Sequence, residues 1–113
     1  MKASFAELLA RIPGPATSRW PEGERFAVAL QHGTMKVELY APEGSDPQAP
    51  HRQDELYVVM SGEGEFVCDG TRMAFGPGDV LFAAAGAIHR FENFSDDFAT
   101  WVIFYGPDGG EET

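Results

Sequence analysis

The sequence predicts an all-β domain, an antiparallel barrel or sandwich with one short helix at its N-terminus. Eight short segments carry the apolar, aromatic and β-branched residues that are typical of strands, and Gly, Pro or Asp bounds each of them. Strands at this regular spacing are characteristic of all-β barrels and sandwiches. Only residues 4–12 show the apolar spacing of an amphipathic helix.

The helix predicted for residues 4–12 has signals at both ends. Ser4 is placed to cap its N-terminus, and Glu7, three residues later, would complete a capping box. A Pro-Gly-Pro sequence stops it. The residues at helical spacing, which we expect to dock on the rest of the domain, are Phe5, Leu8, Leu9 and Ile12.

Turn residues separate the predicted strands. The strands are ERFAVAL, TMKVELYA, ELYVVM, EFVC, TRMAF, VLFAA, HRFENF and FATWVIFY. We expect a hairpin turn at His32-Gly33, where Gly33 supplies a positive φ, and a second at Asp69-Gly70, which is the stronger signal. The loop PEGSDPQAP, with its three prolines, is expected to be irregular.

The length of 113 residues is that of one domain. We divide it into an N-terminal helix and arm (1–24), a barrel (25–105) and a tail (106–113). The GGEET sequence that ends the tail is expected to fray.

Charge and cysteine content exclude some classes of partner. The chain has 18 acidic and 8 basic residues and a formal net charge of −10, so it should repel nucleic acid and anionic membranes. Cys68 is its single cysteine, so no internal disulfide forms, as is usual in a reducing compartment. No apolar run approaches the roughly 20 residues of a membrane span, and the N-terminus lacks the apolar core of a signal peptide. We therefore expect a cytoplasmic protein.

The segment HRQDELYVV holds the first candidate site residues. In an extended strand His51, Gln53 and Glu55 would share one face, while Arg52 and Asp54 would share the other. Two interpretations are open at this point. The polar face is either a solvated strand face or a set of ligands that converges on a cation, with neutral imidazole and carboxylate groups.

Two segments, HRQDELYVVMSG and GDVLFAAAGAIHRFEN, resemble the two conserved motifs of the cupin superfamily. In the first, Glu55 and Gly62 have the family spacing of a glutamate, six residues and a glycine. In the second, Ala84 replaces the family proline. The matching positions of the second motif are Gly78, Gly86, His89 and Asn93. The resemblance covers roughly residues 25–105 and implies a jelly-roll barrel, also called a double-stranded β-helix.

The first family motif also has two histidines, separated by one residue, before the glutamate. In one alignment His51 takes the second histidine position and Ala49 the first. In the other the spacer is shortened, and Gln53 stands at the second histidine position. In both alignments one of the usual four ligands is not a histidine.

The resemblance implies a single divalent metal ion inside the barrel, bound by His51, Glu55 and His89. Gln53 could add its carbonyl oxygen as a weak fourth ligand. A set of two histidines and one carboxylate suits Fe(II), Mn(II), Ni(II) or Zn(II) and leaves coordination positions open for a substrate. His32, in a predicted turn, is expected to lie outside the site.

The resemblance also implies a homodimer, with first strands exchanged or sheets packed edge to edge. Cupins include dioxygenases, isomerases, decarboxylases, sugar-binding modules and storage proteins. Our first hypothesis is a metal-dependent enzyme of dioxygenase, isomerase or decarboxylase type that acts on a small organic molecule. The alternative is a non-catalytic cupin that binds a small ligand or serves as a sensor module.

Overall fold

Two antiparallel sheets form the barrel in the computed structural model, which describes residues 1–112. The elements in order are α1 (Phe5–Leu9), β1 (Phe26–His32), β2 (Met35–Tyr40), β3 (Asp54–Ser61), β4 (Gly64–Cys68), β5 (Thr71–Phe75), β6 (Val80–Ala83), β7 (His89–Glu92) and β8 (Ala99–Tyr105). One sheet has five strands in the order β1-β2-β8-β3-β6, and the other has three in the order β5-β4-β7. All described strand pairs are antiparallel. The predicted fold, an all-β jelly-roll barrel with one short N-terminal helix, is confirmed.

Helix α1 is shorter than predicted. Across residues 1–112 the Ser4 side chain makes no cap hydrogen bond, so the predicted capping box is wrong. The backbone closes the first turn instead, because Leu8 N donates to Ser4 O at 3.0 Å. Leu8 is buried against the sheet while Leu9 is exposed, since neighbouring helical positions point about 100° apart. Within the described chain no helix is long and apolar enough to cross a membrane.

The two predicted hairpin turns are present, one of them displaced. His32 pairs with Met35, so the turn between β1 and β2 consists of Gly33 and Thr34, one residue later than predicted. Gly33 has a φ of 57°, as expected, and occupies the first central position of the two-residue turn. Asp69 and Gly70 have φ values of 47° and 83°, so both adopt the positive φ that this type of hairpin requires.

The core lies between the two sheets. Side chains from both inner faces form it, and most of the large ones are aromatic. Its buried members are Tyr40, Tyr57, Val59, Phe66, Phe75, Leu81, Ala83, Phe91, Phe98, Val102 and Phe104. The last strand therefore turns Val102 and Phe104 inward and leaves Trp101, Ile103 and Tyr105 on the outer face, half-buried.

Strand β2 has an unusual orientation. Its apolar residue Leu39 points to the outside of the barrel, where α1 buries it completely. The alternate residues Lys36 and Glu38 therefore face the interior, where they line a cavity together with Phe104. The helix thus lets a strand with one polar face place that face inside the barrel.

Residues 13–24, which lie between α1 and β1, fold over one end of the barrel, and we call them the arm. Backbone hydrogen bonds from Gly14 N to Glu24 O (2.8 Å) and from Glu24 N to Pro15 O (3.0 Å) hold its two ends together. Trp20, near its tip, packs on Phe26 with 6.4 Å between ring centroids. The arm thereby contributes an aromatic wall to the interior cavity.

The C-terminal segment is better ordered than expected. Gly109 N donates to Arg52 O at 2.7 Å, and Glu111 N donates to Asp54 Oδ2 at 2.9 Å. The predicted fraying of GGEET is therefore wrong for residues 109–111, while Thr113 lies outside the described residues. The Glu111 amide, and after it the Ala85 amide, lower the pKa of Asp54 by bonding its ionised form.

Replacement of Gly62 by alanine should destabilise the fold by a few kcal/mol. Gly62 has a φ of 81°, and a Cβ placed there would lie 2.5 Å from the Cα of Phe98. Backbone strain alone costs about 1–3 kcal/mol at such a position. Gly70→Ala is the matched control, because its φ is 83° but no described atom lies within 4 Å of the added Cβ. Urea unfolding should show the larger loss for Gly62→Ala, and equal losses would contradict the close approach of the two segments.

Candidate metal centre

Three of the predicted site residues approach one another from the two sheets. Glu55 is the second residue of β3, points into the barrel and is only 1% exposed. His89 begins β7 on the facing sheet and is also buried. His51 lies in the loop that leads into β3 and is half-buried. The inward faces of two strands and one loop therefore place these side chains at a common point.

The distances fit a single small site. One potential ligand atom from each of His51, Glu55 and His89 lies within 4.8 Å of the other two. His89 Nε2 is 2.6 Å from Glu55 Oε1, and His51 Nε2 is 4.0 Å from Glu55 Oε2. The two imidazole rings have centroids 5.6 Å apart.

Neighbouring groups orient both imidazoles. The Nδ1–H of His89 donates to the carbonyl oxygen of Ala87 at 2.9 Å, so in the neutral ring Nε2 is the unprotonated nitrogen and faces the site. The Phe104 ring meets the His51 ring edge-on, with centroids 5.0 Å apart. Such fixed tautomers and ring orientations are usual in metal-binding histidines.

Two buried atoms of this cluster, His51 Nε2 and Glu55 Oε2, have no hydrogen-bond partner among residues 1–112. The third, His89 Nε2, faces Glu55 Oε1 at 2.6 Å, and that contact is a hydrogen bond only when His89 is protonated, because in the neutral ring the proton is on Nδ1. Burial of a polar atom without a partner typically costs about 1–3 kcal/mol. All three atoms belong to the residues that converge on one point. Two imidazole nitrogens and a carboxylate oxygen are a donor set for a first-row divalent ion, so the residues fit such a metal.

The protonation of the two histidines differs. Burial lowers the pKa of His51, and the nearby Glu55 carboxylate only partly opposes it. Burial also acts to lower the pKa of His89, but the adjacent Glu55 carboxylate and the Ala87 carbonyl outweigh it and raise that pKa above its ordinary value. A metal ion at this point would therefore compete with a proton on His89.

Gln53 is placed differently from the other three candidates. Its Nε2 donates to Thr34 O at 2.8 Å and to Gly106 O at 2.9 Å, so it links the β1–β2 turn to the end of β8. Strand β3 begins only at Asp54, so regular alternation along an extended strand does not reach Gln53. Its role as a fourth ligand stays a prediction. His32 is exposed at the end of β1, away from the cluster.

A buried hydrogen-bonded chain anchors the loop that carries His51. The Tyr57 hydroxyl donates to Gln48 Oε1 at 3.2 Å, and Gln48 Nε2 donates to Asp46 Oδ2 at 2.7 Å. Asp46 Oδ2 also accepts the backbone N–H of Phe91 at 2.8 Å. No sequence pattern predicts this hydrogen-bonded chain beyond an irregular, proline-rich loop, and its link to Phe91 joins residues 45 positions apart.

A cavity of about 480 Å³ opens beside His51. Its apolar wall consists of Trp20, Phe26, Tyr40, Val102 and Phe104, and its charged residues are Arg19, Glu24, Lys36, Glu38 and Arg52. Sequence reasoning missed Lys36 and Glu38. The alternation of polar and apolar residues along β2 was the available signal, but it does not show which face of the strand points into the barrel.

Comparisons with known proteins agree with this architecture. The family model described as Cupin domain matches residues 36–105. An uncharacterized protein of Streptomyces coelicolor is 35% identical over 81 residues, which cover 70% of this chain and 77% of that protein. The HTH-type transcriptional activator RhaS of Yersinia pestis is 33% identical over 74 residues, 66% of this chain but 27% of the activator, so the chain spans about a quarter of RhaS.

Among solved structures, a Cupin 2 conserved barrel domain protein from Salinispora arenicola superposes with a TM-score of 0.61 at 24% identity. The match covers 72% of this chain and 74% of that one. The fold is therefore shared, and the matching family model spans more than half of the sequence. This chain belongs to the cupin family.

Proposed function

We propose that this cupin binds one divalent metal ion through His51, Glu55 and His89 and acts as an enzyme on a small organic molecule held in the adjoining cavity. One observation carries the proposal. The ligand atoms of His51, Glu55 and His89 lie within 4.8 Å of one another, and two buried ones, His51 Nε2 and Glu55 Oε2, have no hydrogen-bond partner in the described chain.

The chemistry follows from the donor set and its surroundings. An ion of Fe, Mn, Ni or Zn bound by two histidines and one carboxylate keeps open positions, and it would supply Lewis-acid polarisation of a ligand oxygen or activation of oxygen. The chain itself holds the imidazole of His89 through the Ala87 carbonyl and packs Phe104 against His51. The aromatic cavity wall would exclude water from a bound molecule. Dioxygenase, isomerase and decarboxylase reactions are each compatible with this arrangement.

A non-catalytic sensor or ligand-binding module is the second candidate. The identity of 33% over 74 residues with the transcriptional activator RhaS favours it, since the matching segment there is about a quarter of a regulator. The two candidates differ in one measurable respect. An enzyme consumes the molecule that binds in the cavity, whereas a sensor module returns it unchanged.

Three further sequence predictions remain open. They are the cytoplasmic location, the homodimer and the division into an N-terminal helix and arm (1–24), a barrel (25–105) and a tail (106–113). For the homodimer, the structure leaves the apolar side chains Val80 and Phe82 exposed on β6. Among the described strands β6 pairs only with β3, so its other edge is free.

Metal titration tests the proposed site. Metal-free protein, titrated by calorimetry with Mn²⁺, Fe²⁺, Ni²⁺ and Zn²⁺, should bind one equivalent of at least one ion. Glu55→Gln should weaken that binding on the order of 100-fold, since even the loss of an outer-shell partner costs about 10–100-fold. His32→Gln, which changes an exposed histidine, is the control and should bind like the wild type. Equal binding by Glu55→Gln and wild type would place the metal elsewhere.

A further inference from the structure

The inner face of β2 carries a charged pair, Lys36 and Glu38, where apolar side chains are usual. Lys36 Nζ lies 3.4 Å from Glu38 Oε2, and the two side chains are 40% and 12% exposed. Partial burial of two charges costs desolvation energy that one ion pair seldom recovers in full. Burial accordingly raises the pKa of Glu38, although Lys36 opposes this. Charged side chains on the inner face of a strand break the usual pattern of apolar residues inside and polar residues outside, and such exceptions are expected at functional sites.

Phe104 connects this pair to the candidate metal centre. In the strand register it stands directly between Lys36 on β2 and Glu55 on β3. The Lys36 ammonium lies 5.1 Å from the centroid of its ring, and the ring also meets His51 edge-on. Two strand spacings of about 4.8 Å separate Lys36 from Glu55, so the two backbones are roughly 10 Å apart. A small molecule could reach both positions across the Phe104 ring.

The charge around the cavity differs from that of the whole chain. Three of the eight basic residues line it, Arg19, Lys36 and Arg52, together with two acidic residues, Glu24 and Glu38. The lining thus has three cations and two carboxylates, whereas the chain has 8 basic and 18 acidic residues; Arg52 also pairs with Asp108, at 3.8 Å. Lys36 lines the cavity with 40% of its side chain exposed, so its ammonium is accessible to an anion there. An ammonium group has three N–H donors, so the Lys36–Glu38 contact leaves donors free for a second anion.

We propose that the cavity binds a small carboxylic acid with an apolar body about the size of an aromatic ring. Its carboxylate pairs with Lys36, and its body packs on Phe104 and on the arm-side wall formed by Trp20 and Phe26. The inference deepens the proposed function, because the metal centre would meet the other end of this molecule. The carboxylate contact itself uses Lys36 and does not require the metal.

Three ring compounds of similar size and different charge test the proposal: benzoate, benzamide and benzylamine. Each is titrated into metal-free protein and followed by two-dimensional NMR. Benzoate should bind most tightly and benzylamine most weakly. Lys36→Met keeps an unbranched side chain over Phe104 but removes the charge, and should weaken benzoate binding about tenfold, as expected for a charge-assisted contact of about 1.4 kcal/mol. Benzamide binding should stay unchanged.

Two further variants show the sign of the effect. Glu38→Gln should tighten benzoate binding, because it removes the carboxylate that competes for Lys36, and Lys36→Arg should retain most of it. If benzylamine bound most tightly of the three compounds, and Glu38→Gln abolished that binding, the proposal would be overturned. The cavity would then hold a cationic ligand against its aromatic wall. Equal affinities for the three compounds, or no benzoate binding at its solubility limit, also overturn it. Because these titrations contain no metal, their outcome is independent of whether metal binding at His51, Glu55 and His89 succeeds or fails.

Discussion

The Phe91→Ala variant should lose about 3–5 kcal/mol of unfolding free energy, the range typical of a large aromatic side chain removed from a core. Phe91 is 1% exposed and lies at the centre of the aromatic cluster between the sheets. Its ring centroid is 4.8 Å from that of Phe98, 4.9 Å from Tyr57, 5.1 Å from Phe66 and 5.5 Å from Phe75. Alanine would remove these contacts from both sheets at once.

A loss of this size is a large part of the roughly 5–15 kcal/mol that stabilises most domains. Urea unfolding followed by tryptophan fluorescence measures it. Ile88→Ala is the control, because Ile88 is 72% exposed just before β7 and its removal should change stability by about 0.5 kcal/mol or less. If the two variants lost equal stability, the core would not be centred on Phe91.

The strands and turns were predictable because their signals are local. Asp69-Gly70 needs only its own two residues to adopt positive φ, and the hairpin forms where those residues stand. The β1–β2 turn was placed one residue early because ladder pairing, which the sequence does not show, extends to His32. The capping box predicted at Ser4 does not form, because the first turn of this five-residue helix is closed by the backbone hydrogen bond from Leu8 N to Ser4 O instead.

The orientation of β2 was not predictable, since alternation identifies two faces but not which of them is inside. Here α1 covers the apolar face, and that contact joins elements about 30 residues apart in sequence. The polar residues Lys36 and Glu38 consequently line the interior, where a reading of the strand alone would place its apolar residues. These two charged residues, which the sequence alone does not explain, thereby line the cavity beside His51.

For the candidate site, the family resemblance supplied His51, Glu55 and His89, and the structure brings them together. The two alignments of the first motif left Gln53 open, and its amide is bonded to Thr34 and Gly106. The Asp46 carboxylate, which reaches the backbone of Phe91, lies 45 residues from it in sequence. Such contacts depend on how the loop between β2 and β3 packs against β7, and no local sequence pattern predicts them.

Metal binding at the proposed centre should raise the thermal stability of the wild-type protein and leave that of His89→Ala unchanged. An ion present at 100 times its Kd stabilises the folded state by about 2.7 kcal/mol if the unfolded chain does not bind it. For a domain of this length that corresponds to a rise in Tm on the order of 10 °C. The effect depends on His89, because its Nε2 is buried 2.6 Å from Glu55 Oε1 with Nδ1 held by Ala87.

Differential scanning fluorimetry with and without the ion, and again after EDTA, measures the shift. His32→Ala changes an exposed histidine and should respond to the ion like the wild type. Since the chain has 18 acidic residues, weak surface binding is the competing explanation for any stabilisation. An equal rise in Tm for His89→Ala and wild type would support that explanation and contradict the buried site. A rise confined to the proteins that retain His89 requires an ion held at the point where the two sheets meet.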